Sequence, residues 1–260
     1  MLSRPLGAPH LKQCGILLRG YAKKPEAVKD VVGRLHSTAL QAMRVGFYRI
    51  VILIPAEKDC GLTADATRRK FAFPERNGVS ILSPGGNENS HVLNIGVKRL
   101  ENEGYGFAFI ASNKAIGHLT KQNVEKMLVA FGHGAFVSGL AMRDTDHAAV
   151  NDETFIGTLS GRIVNTLSAW QISMLSGVGG FDSEIGVEEI APMLRLCQGF
   201  GKGIAPILPA NQAGLDVSAF QAAHHEWVAS TKWQRQLQEA NRVGGSFEQI
   251  TDGILSGYPQ

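Results

Sequence analysis

The chain has 260 residues, of which 44% are hydrophobic and 19% charged, and its formal net charge is +3. A chain of this length can bury a sizeable core and suits one α/β domain, or one such domain with an appendage. Its charges are dispersed and form no basic block, so the sequence indicates neither a nucleic-acid partner nor a membrane surface as partner.

Apolar runs and segments of helical periodicity alternate through the first half of the chain. After a loose tail over residues 1–12, four apolar runs predict β-strands at 15–21, 48–54, 79–82 and 107–111. The run at 48–54 is nearly all aliphatic, which is typical of a strand buried on both faces in a parallel sheet. Apolar residues at helical spacing predict helices between these strands, at 25–46, 64–71 and 92–100.

The second half of the chain is less regular. The pattern predicts a helix over 119–131, a strand over 134–142 and a charged loop over 143–151, whereas 156–170 shows only scattered apolar residues. A glycine-rich loop is predicted at 174–182, and Trp170 just before it is more typical of a core or interface than of a sugar-stacking platform. The pattern then predicts the elements that close the domain: a helix at 186–197 and a short strand at 203–208.

Cysteine usage and the N-terminus bear on the cellular setting. Cys14, Cys60 and Cys197 lie far apart and none pairs at metal-ligand spacing. Free thiols in a reducing, cytoplasmic environment are the simplest interpretation. The N-terminus lacks the continuous apolar core of a signal peptide, and no stretch approaches the roughly 18 apolar residues of a transmembrane helix.

Polar residues follow the predicted strands at one edge of the sheet. The turn at 83–87 follows one strand, and Ser112, Asn113 and Lys114 follow the next. In a parallel α/β sheet, ligands bind beyond the carboxyl ends of the strands, so a site is expected at this edge. Lysines that follow the first two strands would join Lys114 either in a metal-free anion pocket or in an ordinary solvated edge; they are Lys23, Lys24 and Lys58.

Three local patterns resemble one enzyme family. They are an Asn-x-Gly at residues 94–96, the strand at 107–111 with the helix that follows it, and a Gly-Gly-Phe-Asp at 179–182 that precedes an acidic pair and Arg195. Together they resemble the GT-A glycosyltransferases, the family 2-like enzymes that use nucleotide-diphosphate sugars. The resemblance spans residues 15–208.

The resemblance implies an α/β protein of the GT-A fold, with a mostly parallel central sheet flanked by helices. Its catalytic domain would run over 13–210, with a nucleotide-binding half at 13–112 and an acceptor half at 113–210. Residues 211–260 carry aromatic and charged side chains at helical spacing and are predicted as a helical extension. Because this extension is rich in aromatic residues and could pack on a partner subunit, a homodimer is one hypothesis.

The resemblance also implies roles for single residues. Glu189 or Glu188 would be the base that takes the proton from an acceptor hydroxyl, and Asp182 would orient the acceptor. The alternative for the two glutamates is a pair of solvated acids that stabilise a helix N-terminus. On the donor side we expect the following residues: Arg19, Tyr21, Lys23, Asp59, Asn94, Asn113 and Lys114.

The sequence departs from the family where its metal site should lie. The family places an Asp-x-Asp there, whereas this chain has Ala-Ser-Asn-Lys at 111–114. A hard divalent cation needs carboxylate oxygens, so we assign no metal ligand and no cofactor. Lys114 would instead set a positive charge against the diphosphate, unless it is only an exposed lysine at a turn.

The interpretation is a hexosyltransferase-type enzyme that transfers a sugar from a nucleotide-diphosphate donor to an unknown acceptor hydroxyl, with or without a metal. One alternative in the same fold is a sugar-phosphate nucleotidyltransferase, for which the basic segment at 19–24 is a faint signal. The other is a non-catalytic binding or scaffold protein, which the missing aspartates favour. Fold by itself does not decide among them.

Overall fold

The computed structural model describes residues 7–20, 22, 25–54, 67, 78–83, 89–113, 115–141, 163–181, 192, 195–196 and 204–207. Its centre is a seven-stranded sheet. The strands, in chain order, are β1 (Cys14–Arg19), β2 (Ile50–Leu53), β3 (Val79–Leu82), β4 (Phe107–Ser112), β5 (Val137–Ala141), β6 (Ile163–Gln171) and β7 (Ile204–Ile207). Across the sheet they lie in the order β3-β2-β1-β4-β6-β5-β7.

The sheet is parallel except for β6. Strand β1 is paired in parallel on both sides, with Ile16 opposite Ile50 of β2 and Phe109 of β4. Strand β6 runs antiparallel to both of its neighbours, β4 and β5. The predicted, mostly parallel α/β sheet is confirmed, and the predicted strands are found within a few residues of their expected bounds.

Strand β6 was not predicted from the sequence. Its register places Ser168 on a fully buried position, and the Trp170 indole donates a hydrogen bond to the Ser168 hydroxyl at 2.9 Å. Ser168 interrupts the apolar run in the sequence. It is nevertheless buried, because its hydroxyl has a hydrogen-bond partner in Trp170, two positions further along the strand. The pattern over 156–170 therefore gave no strand signal, although its second half crosses the core.

The described part of the chain contains the helices α1 (Val28–Val45), α2 (Asn89–Asn102), α3 (Lys121–Gly132) and α4 (Ile172–Gly177). Helices α1 and α3 share one core cluster with alternate residues of the strands, among them Ile16 and Phe109. Helix α2 covers the opposite face, where Gly96 lies close to Leu17 and Leu53. The sheet is therefore covered on both faces, as a parallel sheet requires.

Local signals set the helix ends. Helix α1 follows a short 3-10 turn at Pro25–Ala27 and stops at Gly46, whose φ of 110° is the left-handed conformation of a helix C-cap. Helix α3 begins at Thr120, whose hydroxyl accepts a hydrogen bond from the backbone N–H of Asn123. The predicted end of the first helix near Gly46 is confirmed.

One loop prediction was partly wrong. The first part of the predicted glycine-rich loop at 174–182 belongs to α4, which continues directly from β6. Of the predicted helix at 186–197, only Pro192, Arg195 and Leu196 are described, and all three are helical. The segments at 143–151 and 211–260 lie outside the described residues, as does 64–71 except for Thr67, so the domain boundaries stay predictions.

An ion pair ties the amino edge of the sheet to the end of α2. Arg49 precedes β2 and donates from Nε and Nη2 to the two Glu103 carboxylate oxygens, at 2.6 and 2.8 Å. Its third donor reaches the Gly78 carbonyl at 2.9 Å, just before β3. The hydrogen bond from Arg49 lowers the pKa of Glu103, and Arg99 adds to this effect. This brace lies at the edge opposite to the expected site.

None of the helices in the described part of the chain combines the length and the low polarity that a bilayer-spanning segment needs.

Candidate functional site

The order of the strands places a topological switch point between β1 and β4. From β1 the chain moves to β2 and β3 on one side, whereas β4 lies on the other side of β1. This reversal is a topological switch point, the place where open α/β sheets bind ligands. The carboxyl ends of β1 and β4 meet there.

Three polar residues are brought together at this switch point. Arg19, the last residue of β1, lies in register with Ser112, the last residue of β4. The backbone N–H of Asn113 donates to the Arg19 carbonyl at 3.1 Å, which extends the pairing one residue beyond the strand. The sequence-predicted donor residues Arg19 and Asn113 are therefore neighbours in space, although 94 positions separate them in sequence (113 − 19 = 94).

The burial of these residues is unusual for polar groups at a sheet edge. Ser112 and Asn113 are each only 8% exposed, and Arg19 is partly buried. Ala115, in the 3-10 turn that follows β4, is fully buried. Residues of these types, brought together by their backbones at a partly buried strand end, suit a polar anionic ligand, because charge-assisted hydrogen bonds are strongest where water is excluded.

The residues that the structure describes at this edge of the sheet do not fit a hard divalent cation. The residues described at the carboxyl ends of β1 to β4 include Arg19, Ser83, Ser112 and Asn113, and no carboxylate occurs among them. Within the described residues no group of three His, Cys, Asp or Glu side chains is close enough to hold a metal. Hydroxyl and carboxamide oxygens beside a fixed positive charge do not form a magnesium or manganese site.

Seven of the predicted site residues lie outside the described part of the chain. They are Tyr21, Lys23, Asp59, Lys114, Asp182, Glu188 and Glu189. Their assigned roles stay predictions. Phe181 is the last described residue before Asp182, so the structure describes residues 179–181 of the Gly-Gly-Phe-Asp motif.

Asn94 is the remaining predicted donor-side residue that the structure describes, and it contacts Phe181 of the Gly-Gly-Phe-Asp motif. Asn94 lies on α2, and its side-chain Nδ2 donates to the Phe181 carbonyl at 2.9 Å. Its Oδ1 accepts from the Phe181 backbone N–H at 2.8 Å. One carboxamide thus satisfies both backbone groups of one residue. Two of the motifs singled out in the sequence meet here, which neither motif indicated by itself.

Glycine is required where the segment passes Asn94. Gly180 has a φ of 74°, and a Cβ at this position would lie 2.5 Å from Asn94 Oδ1. Gly179 has a φ of 89°, and a Cβ there would lie 3.5 Å from the Arg195 guanidinium. Arg195 donates from that guanidinium to the Val178 carbonyl at 3.1 Å. The two glycines therefore allow both the turn and the close approach.

An aromatic pair completes the support of this segment. The Phe181 ring packs edge-on against Trp170, with ring centroids 5.1 Å apart and an interplanar angle of 81°. Trp170 is 0% exposed. Its ring is a core element beneath the segment and is not available for stacking on a sugar.

Comparisons with known proteins identify the fold and no closer relationship. No family model matches this sequence, and a search of curated proteins finds no match either. The solved structures similar to this chain include a mannosyltransferase from Pyrobaculum calidifontis in complex with GDP-Man and Mn2+. Its TM-score is 0.51 at 12% identity, over 95% of this chain and 81% of that one.

Two cytidylyltransferase structures are similar to about the same degree. The 4-diphosphocytidyl-2C-methyl-D-erythritol synthase of Anaerococcus prevotii has a TM-score of 0.50 at 10% identity, over 83% of this chain and 98% of that one. A cytidylyltransferase from Leptospira borgpetersenii has a TM-score of 0.50 at 10% identity, over 90% and 97%. At such identities the similarity bears on fold and not on activity. The chain has a GT-A-like α/β fold.

Proposed function

We propose that this protein is a nucleotide-sugar transferase that binds the diphosphate of its donor at the carboxyl edge of β1 and β4. The observation that carries the proposal is the meeting of Arg19 with Ser112 and Asn113 at the switch point of a GT-A-like sheet. The donor would be a nucleoside diphosphate linked to a hexose, and the acceptor a hydroxyl group.

The donor site would work by fixed positive charge. A nucleoside diphosphate develops negative charge as the bond to the sugar breaks, and a guanidinium placed against it stabilises that charge. Arg19 supplies one such group. We assign a second to Lys114, next to Asn113 in the chain, and a third to Lys23. In this arrangement lysine and arginine replace the cation that the absent Asp-x-Asp would hold.

The acceptor side would use the acidic residues that follow Phe181. Asp182, next to Phe181 in the chain, would orient the acceptor. Glu189 or Glu188 would take the proton of the acceptor hydroxyl as its oxygen attacks the anomeric carbon. The sugar bond to the diphosphate breaks in the same step, and the nucleoside diphosphate leaves.

A second candidate is a nucleotidyltransferase that joins a nucleoside triphosphate to a sugar phosphate or similar alcohol phosphate and releases pyrophosphate. Two of the similar structures are cytidylyltransferases, and the similarity covers 98% and 97% of those chains. The same basic residues would then face a triphosphate. A scaffold that has kept the fold and lost the chemistry is the third reading.

Calorimetric titration distinguishes these candidates. The purified chain is titrated with uridine and guanosine diphosphates, each with and without Mn²⁺, and separately with cytidine triphosphate. We expect one of the two diphosphates to bind with the same affinity in the presence and in the absence of Mn²⁺. Binding that needs Mn²⁺ would contradict the fixed-charge site. Triphosphate binding with pyrophosphate release would favour the second candidate, and no nucleotide binding would leave the scaffold.

A further inference from the structure

We propose that Asn94 is a positioning residue: its two hydrogen bonds to Phe181 hold the Gly-Gly-Phe segment, residues 179–181, against α2 on the acceptor side of the proposed transferase site. The proposal rests on the proposed transferase function. It gives Asn94 a role on the acceptor side, through the backbone, in place of direct contact with the donor.

The first step is the geometry of the contact. The Asn94 carboxamide donates to the Phe181 carbonyl at 2.9 Å and accepts from the Phe181 N–H at 2.8 Å. A pair of antiparallel bonds to one residue restrains the orientation of its backbone as well as its distance, much as a neighbouring strand does. The backbone of Phe181 is therefore held against α2.

The second step is the rigidity of the helix that carries Asn94. Gly96, two residues further along α2, lies so close to the sheet that a Cβ would be 3.0 Å from Leu53 and 3.1 Å from Leu17. Leu17 belongs to β1, the strand that ends in Arg19. Asn94 is therefore held on the same strand that presents the arginine of the proposed donor site.

The third step is the independent support of the segment from the other side. Arg195 donates to the Val178 carbonyl at 3.1 Å, and the Gly180 N–H donates to the Leu175 carbonyl at 2.9 Å. These bonds and the Trp170 ring would keep the chain near its place without Asn94. Loss of Asn94 should loosen the segment without unfolding the domain.

The substitution Asn94→Asp separates positioning from general stability. The variant keeps the acceptor for the Phe181 N–H but, when ionised, places a negative oxygen against the Phe181 carbonyl. When protonated, the introduced carboxyl group has an O–H that can donate to that carbonyl again. The clamp, which is the pair of hydrogen bonds between Asn94 and the Phe181 backbone, should therefore open at neutral pH and close as the pH falls. Asn102→Asp, at the exposed end of α2, adds the same charge to the same helix.

Other charged groups near the clamp do not produce this pattern. Arg195, which contacts the same segment, is present in the wild type and in both variants. The exposed His91, three residues before Asn94 on α2, is present in the wild type and in both variants. Each measurement is therefore expressed as the ratio of variant to wild type at the same pH, which removes the contribution that His91 makes to all three proteins.

The experiment is hydrogen exchange of the peptide that spans 178–182, together with donor titration and steady-state transfer kinetics, from about pH 7.5 to about pH 5. For Asn94→Asp at neutral pH we expect roughly tenfold faster exchange or more, because a buried hydrogen bond is replaced by a repulsive pair. We expect kcat to fall by a similar factor while the affinity for the nucleoside diphosphate stays unchanged. Both ratios should return toward one at the acidic end, and Asn102→Asp should show neither effect.

Unchanged exchange in Asn94→Asp would overturn the proposal whatever the enzyme does. Faster exchange with an unchanged kcat would also overturn it, because the clamp would then position nothing that the reaction needs. A loss of nucleotide affinity equal to the loss of kcat would return Asn94 to the donor site. A wild-type chain that binds no nucleotide would refute the proposed function and with it the catalytic part of this inference, whereas the exchange ratios would still report on the clamp.

Discussion

Asn94 and Phe181 lie 87 residues apart in sequence, and the side chain of the first satisfies both backbone groups of the second. The contact joins a helix seated on β1 and β2 to the segment that follows β6. It explains why a Gly-Gly pair precedes Phe181, because the chain must turn with positive φ within reach of the carboxamide.

The glycine at position 180 can be tested against a nearby glycine without its constraints. We expect Gly180→Ala to destabilise the protein by about 1–3 kcal/mol, because its φ of 74° is unfavourable for alanine and its Cβ would meet Asn94 Oδ1. Gly177→Ala is the matched control, since a Cβ there meets nothing within 4 Å. It should cost nothing or stabilise slightly. Urea denaturation of both variants measures the difference, and equal midpoints would contradict the close approach.

The donor edge predicts a specific loss of affinity. Arg19→Ala should weaken binding of the nucleoside diphosphate by about 10- to 100-fold, the range expected for one charge-assisted hydrogen bond. Arg34→Ala removes an equal charge from the exposed face of α1, where Arg34 pairs with Asp30 at 2.7 Å. That control should bind like the wild type. If both variants lost the same affinity, the effect would be one of overall charge and not of the switch point.

The Arg49–Glu103 pair should make stability depend on pH in a defined direction. The hydrogen bond that Arg49 donates lowers the pKa of the Glu103 carboxyl group, so the folded state binds the proton less readily than the unfolded state does. The stabilisation is therefore complete at neutral pH and is lost as the pH falls through the folded-state value. Glu103→Gln should cost about 1–2 kcal/mol at neutral pH and little once the pH lies below the lowered folded-state pKa of Glu103.

A neighbouring glutamate provides the control for this ion pair. Glu101 pairs with Lys98 on the same helix at 2.7 Å, but the lysine side chain is 67% exposed. Glu101→Gln should change stability by about 0.5 kcal/mol or less at any pH. The comparison is made by urea denaturation at several pH values. A cost for Glu103→Gln that did not change with pH would show that lost packing, and not charge, is responsible.

The thiol of Cys14 should be unreactive in the folded protein. Cys14 is 1% exposed, and burial raises its pKa to about 12. Because the thiolate is the reacting species, alkylation by iodoacetamide near neutral pH should be about 10³-fold slower than for an ordinary cysteine. Peptide mass spectrometry after a timed reaction follows the Cys14 peptide separately from those of Cys60 and Cys197. Rapid labelling of Cys14 without denaturant would contradict its place in the core.

Much of the fold was predictable because its signals are local. The aliphatic run of β2, the helical spacing of α1 and its stop at Gly46 each depend on residues close in sequence, so each was found close to its observed bounds. The polar ends of β1 and β4 also carried a local signal. Parallel pairing then made Arg19 and Asn113 neighbours, as the rule for parallel sheets implies.

The sequence alone determined the apolar periodicity, the helix stop at Gly46 and the polar residues that follow β1 and β4, since each depends on side chains a few positions apart. Only the tertiary structure decided the insertion of β6 between β4 and β5, the pairing of Arg49 with Glu103 and the clamp of Asn94 on Phe181. The partners in those contacts lie tens of residues apart, and a polar residue at Ser168 or Asn94 looks the same in sequence whether it faces water or a buried partner. Burial selects the partner, because a polar group removed from water must recover its hydrogen bonds within the fold.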